Sequence, residues 1–100
     1  MFIVRTFITK PAGTAWYQHD AETLGAETLA QWTAAQTSIL RNRTRKVGKN
    51  KKVNTMVFAD QAAYDAYKAA VEATPQWQAR QAYFETTGFV VVTRKFQLIA

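Results

Sequence analysis

The sequence predicts an α+β fold in which a four-stranded antiparallel sheet carries its helices on one face. Three observations support this prediction: apolar strands near both ends of the chain, two segments with a helical apolar period, and a hairpin between those segments. The resulting order is a split β-α-β-β-α-β, in one domain spanning residues 1–100. The right-handed crossover rule places the first and third strands together at the centre of the sheet.

The first strand spans residues 2–10 and is apolar on both sides. Its apolar side chains alternate, with Phe2, Val4 and Ile8 on one side and Ile3 and Phe7 on the other. A strand of this kind is normally covered on both sides. Because the helices cover one face of the predicted sheet, we expect a second copy to cover the other face in a homodimer.

A helix is predicted from about residue 20 to residue 39, where the apolar period becomes helical. Its stripe consists of Leu24, Leu29, Trp32, Ala35 or Gln36, and Ile39. Residues 40–47 and 51–59 then form two strands, joined by a glycine-containing hairpin connection at residues 48–50. The second of these strands is apolar enough to lie inside the sheet.

The second half of the chain predicts two more helices and a strand. Asp60 is a good N-cap for the first of these helices. Its stripe consists of Ala63, Tyr67, Ala70 and Val71. Thr74 and Pro75 supply a cap and a first-turn proline for a short helix that ends near Gly88. The stripe of this short helix consists of Trp77, Arg80 or Gln81, and Phe84. Residues 89–99 form the last strand, again apolar on both faces.

The net charge of +6 comes from 13 basic and 7 acidic residues, and it is unevenly distributed. No Asp or Glu occurs between Glu27 and Asp60. More than half of the cations lie in the hairpin: Arg41, Arg43, Arg45, Lys46, Lys49, Lys51 and Lys52. Charged side chains on an edge strand discourage pairing with other sheets, so we expect edge protection. The alternative is that the hairpin contacts nucleic acid or an acidic partner.

RNA-recognition domains share this element order and stack bases on aromatic residues of a central strand. The corresponding strand here, 51-KKVNTMVFAD-60, carries Val53 and Thr55 where such aromatic residues would be expected. The open face of the sheet is therefore better suited to a dimer than to base stacking. Nucleic acid remains the secondary interpretation of the basic hairpin.

Composition excludes several classes of site. The chain has no cysteine and a single histidine, which argues against disulfides, zinc clusters and other metal sites. No GxGxxG, P-loop or GxSxG motif occurs, so we expect no nucleotide cofactor and no serine-hydrolase chemistry. No apolar run approaches the roughly 20 residues that span a bilayer, and no signal-peptide pattern opens the chain. We expect a cytoplasmic protein with no membrane partner.

Four segments carry a resemblance to a known family: FIVRTFIT at 2–9, VNTMVFADQAAYDAYKAA at 53–70, TPQWQARQAYF at 74–84 and FVVVTRKFQLI at 89–99. In this layout the chain resembles the ferredoxin-like, dimeric α/β-barrel superfamily, and most of all its antibiotic-biosynthesis-monooxygenase-type branch. The resemblance implies a homodimer with a ligand cavity between sheet and helices. It also implies a cofactor-independent monooxygenase or an isomerase-like enzyme acting on an aromatic or polyketide-like small molecule.

The resemblance further implies polar and aromatic site residues of the kinds found near the cavity in related oxygenases. His19 is a candidate catalytic residue because its pKa suits proton transfer near neutrality, and Asn54 because asparagine is unfavourable in mid-strand. The candidate ligand-binding residues are Trp16, Trp32, Trp77 and Tyr83. The structural alternatives are that His19 is a polar loop residue and that Trp32 and Trp77 pack in the core.

Overall fold

The computed structural model describes residues 1–17 and 38–98. The strands within these ranges are β1 (Phe2–Thr9), β2 (Arg41–Gly48), β3 (Lys51–Phe58) and β4 (Val90–Gln97), and the helices are α1 (Gln61–Glu72) and α2 (Pro75–Thr87). Each of these elements lies close to its expected bounds. The helix predicted over residues 20–39 lies almost entirely outside the described residues.

The four strands form one antiparallel sheet in the order β2-β3-β1-β4. The first and third strands are the central pair, as the crossover rule predicts. Every residue of β1 from Phe2 to Thr9 has a partner on both β3 and β4. The predicted α+β, ferredoxin-like order with a four-stranded antiparallel sheet is thereby confirmed.

The register assigns each strand residue to one of two faces. The helix-covered face buries Phe2, Val4, Ile8 and Phe58. The alternate side chains point the other way, onto what we call the uncovered face. This face consists of Ile3, Arg5, Phe7, Thr9, Arg41, Arg43, Arg45, Lys51, Val53, Thr55, Val57, Val90, Val92, Arg94 and Phe96. The exposed fractions of Val92 and Phe96 are 48% and 43%. The alternation predicted for the first strand is confirmed.

The β2–β3 hairpin turns at Lys49 and Asn50. Gly48, which was predicted to lie in the connection, instead pairs with Lys51 and ends β2. A bulge at Val47 inserts one extra residue into β2, and such a bulge increases the local twist of an edge strand. All eight residues of β2 are exposed, in keeping with its place at the edge of the sheet.

Helix α1 begins after Asp60, whose carboxylate accepts a hydrogen bond from the backbone N–H of Ala63 at 2.8 Å. The residues of α1 that are buried against the sheet are Tyr64, Tyr67 and Val71. The ring centroid of Phe58 lies 5.4 Å from that of Tyr64 and 5.3 Å from that of Tyr67. Ala70 was predicted on this stripe, but it is exposed. The correction has a simple cause: the two tyrosines bury far more apolar surface than alanine, so the stripe is centred on them.

Helix α2 begins after Thr74, whose hydroxyl accepts from the backbone N–H of Trp77 at 3.3 Å, with Pro75 in the first turn. It ends at Gly88, where a φ of 82° in the left-handed region favours glycine. Predicted as a short helix, α2 has 13 residues against 12 in α1. Neither of these two described helices is long and apolar enough to cross a membrane.

Candidate ligand cavity

A cavity of about 450 Å³ lies between the helix-covered face of the sheet and the two helices. Small-molecule sites typically have roughly 300–1,000 Å³. The strand residues lining it include Val4, Thr6, Ile8, Asn42, Asn54, Met56, Val91, Thr93 and Lys95. The helix residues lining it include Tyr64, Tyr67, Lys68, Val71, Glu72, Trp77, Arg80 and Gln81. The cavity thus combines an aromatic wall with a few polar groups.

The aromatic wall consists of Tyr64 and Tyr67 from α1 and Trp77 from α2. The tyrosines also belong to the buried core, against which Trp77 packs in a half-buried position. Burial raises the pKa of Tyr67 above its ordinary value of 10.0, and the nearby Arg80 guanidinium offsets part of that increase. Tyr67 is therefore a neutral hydroxyl at physiological pH, able to donate a hydrogen bond into the cavity.

Asn54 lies in the middle of β3 and faces the cavity, opposite Thr6 of β1. Its side-chain Nδ2 donates to Asn42 Oδ1 at 2.7 Å and to Thr44 Oγ1 at 3.0 Å, both on β2. These cross-strand bonds employ the two N–H groups of the amide and fix its orientation. They leave the Oδ1 atom of Asn54 as an acceptor at the cavity wall.

Arg80 of α2 is a cation at the cavity wall that stacks on aromatic rings. Its guanidinium carbon lies 5.1 Å from the ring centroid of Trp77 and 4.4 Å from that of Phe84. Burial lowers the pKa of Arg80 below its ordinary value, while Tyr67 and Tyr17 oppose that shift. An arginine remains charged under these conditions.

Trp16 and Tyr83 lie in a second aromatic cluster, away from the described cavity lining. The ring centroid of Trp16 lies 5.8 Å from that of Phe89, and Lys52 Nζ lies 4.2 Å from the Trp16 ring. Tyr83 donates a hydrogen bond to the backbone carbonyl of Ala15 and packs at 5.5 Å from Phe89. This cluster anchors the segment after β1 against the end of α2.

The structure brings two of the predicted site residues, Asn54 and Trp77, to one cavity. His19 and Trp32 lie outside the described residues. Within residues 1–17 and 38–98, no group of three or more His, Asp or Glu side chains could hold a metal ion.

The basic hairpin distributes its cations over both faces of the sheet. Arg41, Arg43 and Arg45 lie on the uncovered face, as their alternation predicts, and Lys51 joins them. Lys46 and Lys52 pair with each other on the helix-covered side, while Lys49 occupies the turn. The uncovered face gains two further cations from the neighbouring strands: Arg5 and Arg94, which pair directly across β1 and β4.

Solved structures of other proteins share this architecture. No family model matches the chain, and no curated protein matches it. Among solved structures, the cofactor-independent oxygenase SnoaB from Streptomyces nogalater is 20% identical, with a TM-score of 0.57 over 99% of this chain and 93% of that one. An antibiotic biosynthesis monooxygenase is 12% identical, with a TM-score of 0.61 over 100% of both chains.

A third solved structure is a dimeric ferredoxin-like protein from an uncultured marine organism. It is 9% identical, with a TM-score of 0.60 over 99% of this chain and 94% of that one. The chain has the ferredoxin-like fold of the antibiotic-biosynthesis-monooxygenase-type proteins. The resemblance carried by its strands and α2 is thus confirmed at the level of fold, and the activity has to be argued from the cavity.

Sequence reasoning missed several residues of the cavity wall. Tyr67 was predicted only as part of an apolar helix stripe, and Tyr64 and Lys95 were not singled out. Arg80 and Gln81 were alternatives for one position on the α2 stripe, but both line the cavity. The sequence signal for this wall was Arg80, which lies at helical spacing between Trp77 and Phe84. Such a position places a cation within an apolar surface.

Proposed function

We propose that the protein is a homodimer whose cavity binds an aromatic or polyketide-like small molecule and acts on it as a cofactor-independent monooxygenase. One observation carries the proposal: a cavity of about 450 Å³ that joins the aromatic wall of Tyr64, Tyr67 and Trp77 to the polar groups of Asn54 and Arg80. Aromatic walls with a few convergent polar groups are typical of small-molecule sites. The fold shared with a cofactor-independent oxygenase supports the same interpretation.

Oxygenation without a cofactor requires that the substrate itself supply the electrons. A substrate with an acidic CH2 group between aryl or carbonyl groups can do so after it loses a proton. In the overall reaction the CH2 carbon becomes a carbonyl, one oxygen atom of O2 enters that carbonyl, and the other leaves as water with the two hydrogens. The protein has to remove a proton and stabilise the resulting anion.

The residues of the cavity suit parts of this task. The Oδ1 atom of Asn54, held in place by its bonds to Asn42 and Thr44, would accept a hydrogen bond from a substrate hydroxyl. The Arg80 guanidinium would stabilise negative charge on the substrate oxygen. His19 stays a sequence-based prediction for the proton acceptor. The alternative for this cavity is an isomerase-like reaction, which moves a proton and consumes no O2.

Oxygen uptake tests the proposed reaction. Anthrone is a suitable probe because its CH2 group lies between two aryl rings beside a ketone. We expect O2 consumption above the uncatalysed rate, with conversion of the CH2 group to a carbonyl. Asn54→Ala should lower kcat by about ten-fold or more, and His19→Ala should abolish turnover while leaving the melting temperature nearly unchanged.

Asn50→Ala is a matched control for Asn54→Ala because Asn50 lies in the β2–β3 turn. This control should keep full activity. Proton exchange without O2 uptake would instead support the isomerase-like alternative. Tight binding of aromatic probes with neither reaction would identify a binding protein rather than an enzyme, and absence of any binding would reject the proposal.

The homodimer is proposed to form through the uncovered face. Val90, Val92 and Phe96 of β4 are exposed on this face, beside the half-buried Ile3 and Phe7 of β1. A contiguous apolar surface of this kind marks an interaction site. A structural neighbour described as dimeric shares the fold. Sedimentation at micromolar concentration should give about twice the 11.3 kDa chain mass.

A second candidate function is binding of a polyanion such as nucleic acid by the same uncovered face. The observation that favours it is the row formed by Arg43, Thr55, Arg5 and Arg94 across all four strands. No carboxylate occurs among the described residues of this face. Both uses require the same surface, so a stable dimer would leave only its cationic margin for nucleic acid.

The salt dependence of oligonucleotide binding distinguishes a nucleic-acid function of the basic hairpin from edge protection. Contacts with phosphates release counterions, so affinity for an oligonucleotide should fall steeply as salt rises. We expect weak, sequence-independent binding at low salt only, because edge protection is the primary interpretation of the hairpin. Replacing Arg41, Arg43 and Arg45 by Gln should then increase light scattering through aggregation. Submicromolar binding at physiological salt that the triple variant loses would establish the nucleic-acid function instead.

A further inference from the structure

Arg80 places a positive charge at the cavity wall, and no carboxylate of residues 1–17 and 38–98 forms an ion pair with it. Among the described residues, its guanidinium donates a long hydrogen bond of 3.4 Å to Gln81 Oε1. The groups that oppose the lowered pKa of Arg80 are the phenols of Tyr67 and Tyr17, and neither is a carboxylate. A partly buried cation costs free energy unless an anion compensates it. No carboxylate of the described residues compensates Arg80 in this way, and a bound anion would do so.

The charges around the cavity have the same sign. The described lining contains three cations, Lys68, Arg80 and Lys95, against one carboxylate, that of Glu72. Lys68 and Glu72 are four residues apart on α1, a spacing at which opposite charges offset each other. Arg80 on α2 and Lys95 on β4 are then left without a described acidic neighbour, and both lie at the same cavity.

The side chains beside Arg80 provide a flat apolar surface. Its guanidinium stacks on Trp77 and Phe84, which restricts the orientation of its planar donor fork. Lys95 Nζ lies 5.2 Å from the ring centroid of Tyr64 across the cavity. The buried Tyr67 hydroxyl adds a neutral donor, because its raised pKa keeps it protonated. Donors and cations thus face the same space as the aromatic rings.

We propose that the cavity takes a planar aromatic oxyanion, a carboxylate or a phenolate, whose oxygen atoms are bound by the Arg80 guanidinium and the Tyr67 hydroxyl. The ring system of this ligand lies against Trp77 and Tyr64. The inference rests on the proposed function, because it names the ligand class for the same cavity. Arginine binds carboxylate oxygens through two parallel hydrogen bonds, and these are stronger than hydrogen bonds between neutral groups.

Calorimetric titration with matched probes tests the ligand class. The first probe, 2-naphthoate, is an aromatic carboxylate, and its neutral counterpart is 2-naphthalenemethanol. We expect 2-naphthoate to bind at least about ten-fold more tightly, because the neutral probe leaves Arg80 uncompensated. A third probe, 2-naphthol, covers the phenolate source. Its absorbance should shift to that of the naphtholate at a lower pH when it is bound, because a nearby cation favours the charged form.

Substitutions then assign the effect to Arg80. Arg80→Gln should weaken 2-naphthoate by about ten-fold or more and leave 2-naphthalenemethanol unchanged, and Arg80→Lys should restore part of the affinity. Arg41→Gln is the matched control, since it removes one positive charge from the opposite face of the sheet. This control should bind both probes as the parent protein does.

The outcomes separate the ligand class from the proposed function. Equal or tighter binding of the neutral probe overturns the oxyanion proposal but leaves a ligand cavity in place. A preference for 2-naphthoate that survives in Arg80→Gln overturns the assignment to Arg80. Absence of binding by all three probes overturns both the oxyanion proposal and the proposed cavity function. The comparison of the first two probes uses the unaltered protein, so it holds even if Arg80→Gln does not fold.

Discussion

The two faces of the sheet are built from the same four strands and differ in what their alternate residues do. On the helix-covered face, Val4 is 1% exposed and Phe58 is 0% exposed, and both pack into the core. On the uncovered face, Arg5 and Arg94 pair with each other between Phe7 and Phe96. Successive residues of one strand therefore lie alternately in a buried core and on a surface of arginines and exposed apolar groups.

The arginines of the uncovered face make it an unusual surface for packing a second copy. The Arg5 guanidinium carbon lies 6.0 Å from the ring centroid of Phe96, and that of Arg94 lies 5.8 Å from that of Phe7. These stacked positions keep the two charges apart and cover part of the aromatic rings. Apolar content alone therefore does not make a surface suitable as an interface, because any cations that it buries also need partners of opposite charge.

The largest expected effect comes from one substitution made on each face. Val4→Asp places a carboxylate in the core, so we expect the free energy of unfolding to fall by more than about 4 kcal/mol, a large part of the roughly 5–15 kcal/mol that stabilises a domain. Val92→Asp should change monomer stability little, because Val92 is exposed, but it should shift the dimer toward monomers. Urea denaturation and sedimentation measure the two effects. A Val4→Asp variant as stable as the parent protein would contradict the face assignment.

The second prediction concerns the arginines at the centre of the uncovered face. If a second copy covers this face, Arg5→Gln combined with Arg94→Gln should strengthen the dimer by about 1–3 kcal/mol, because the described surface provides no carboxylate to pair with them. Sedimentation equilibrium measures the change, and Arg41→Gln at the edge of the sheet is the control. A weaker dimer in the double variant would mean that these arginines bind groups of the partner copy.

Most of this fold follows from local patterns in the sequence. Alternation along β1 assigned Phe2, Val4 and Ile8 to one face, and the caps at Asp60, Thr74 and Gly88 gave the ends of the helices. These features depend on neighbouring residues, so they can be predicted from the chain. The centre of the α1 stripe was wrong at Ala70, because helical spacing alone does not indicate how much surface each residue buries.

The cavity was harder to predict than the fold because its wall joins distant parts of the chain. Asn54 was found because asparagine in mid-strand is unfavourable, which is a local signal. The importance of Arg80 depends on its contacts with Trp77 and Phe84 and on the lack of a carboxylate partner among the described residues, which only the three-dimensional structure shows. Trp16 and Tyr83 resembled ligand-binding residues in sequence, but their ring and hydrogen-bond contacts place them in the second aromatic cluster.

The third prediction uses the titration of Tyr67 on the helix-covered face. Its pKa in the folded protein is raised above the ordinary 10.0, chiefly by burial, so the unfolded chain loses this proton first as pH rises. The resulting stability is fully present below about pH 10 and is lost as pH rises through the folded-state pKa. We expect the free energy of unfolding to fall by up to about 1.4 kcal/mol per pH unit in that window.

Urea denaturation between about pH 8 and about pH 11 measures this dependence. Tyr67→Phe should reduce it, and the remainder comes from Tyr64, whose pKa burial also raises. Arg80 acts in the opposite direction, because a lowered pKa favours the folded state as pH rises, but only at more alkaline pH. Lys68→Gln is the control for a general change of surface charge, because Lys68 is exposed and follows Tyr67 in the sequence. An unchanged slope in Tyr67→Phe would show that this hydroxyl is not protected by burial.

The smallest expected effect is at Gln76, which is 0% exposed at the start of α2. Neither side-chain amide atom, Nε2 or Oε1, has a hydrogen-bond partner among the described residues. A buried amide without partners costs about 1–3 kcal/mol, and methionine has a similar length and a high helix propensity. Gln76→Met should therefore raise the free energy of unfolding by about 1 kcal/mol, less than the full cost because methionine does not match the shape of glutamine.

Urea denaturation measures this change against a control, Gln78→Met. Gln78 is exposed on the same helix, so the free energy of unfolding of this control should change by less than about 0.5 kcal/mol. A destabilised Gln76→Met variant would mean that the amide is hydrogen-bonded in solution, by water or by a group that the described residues do not include.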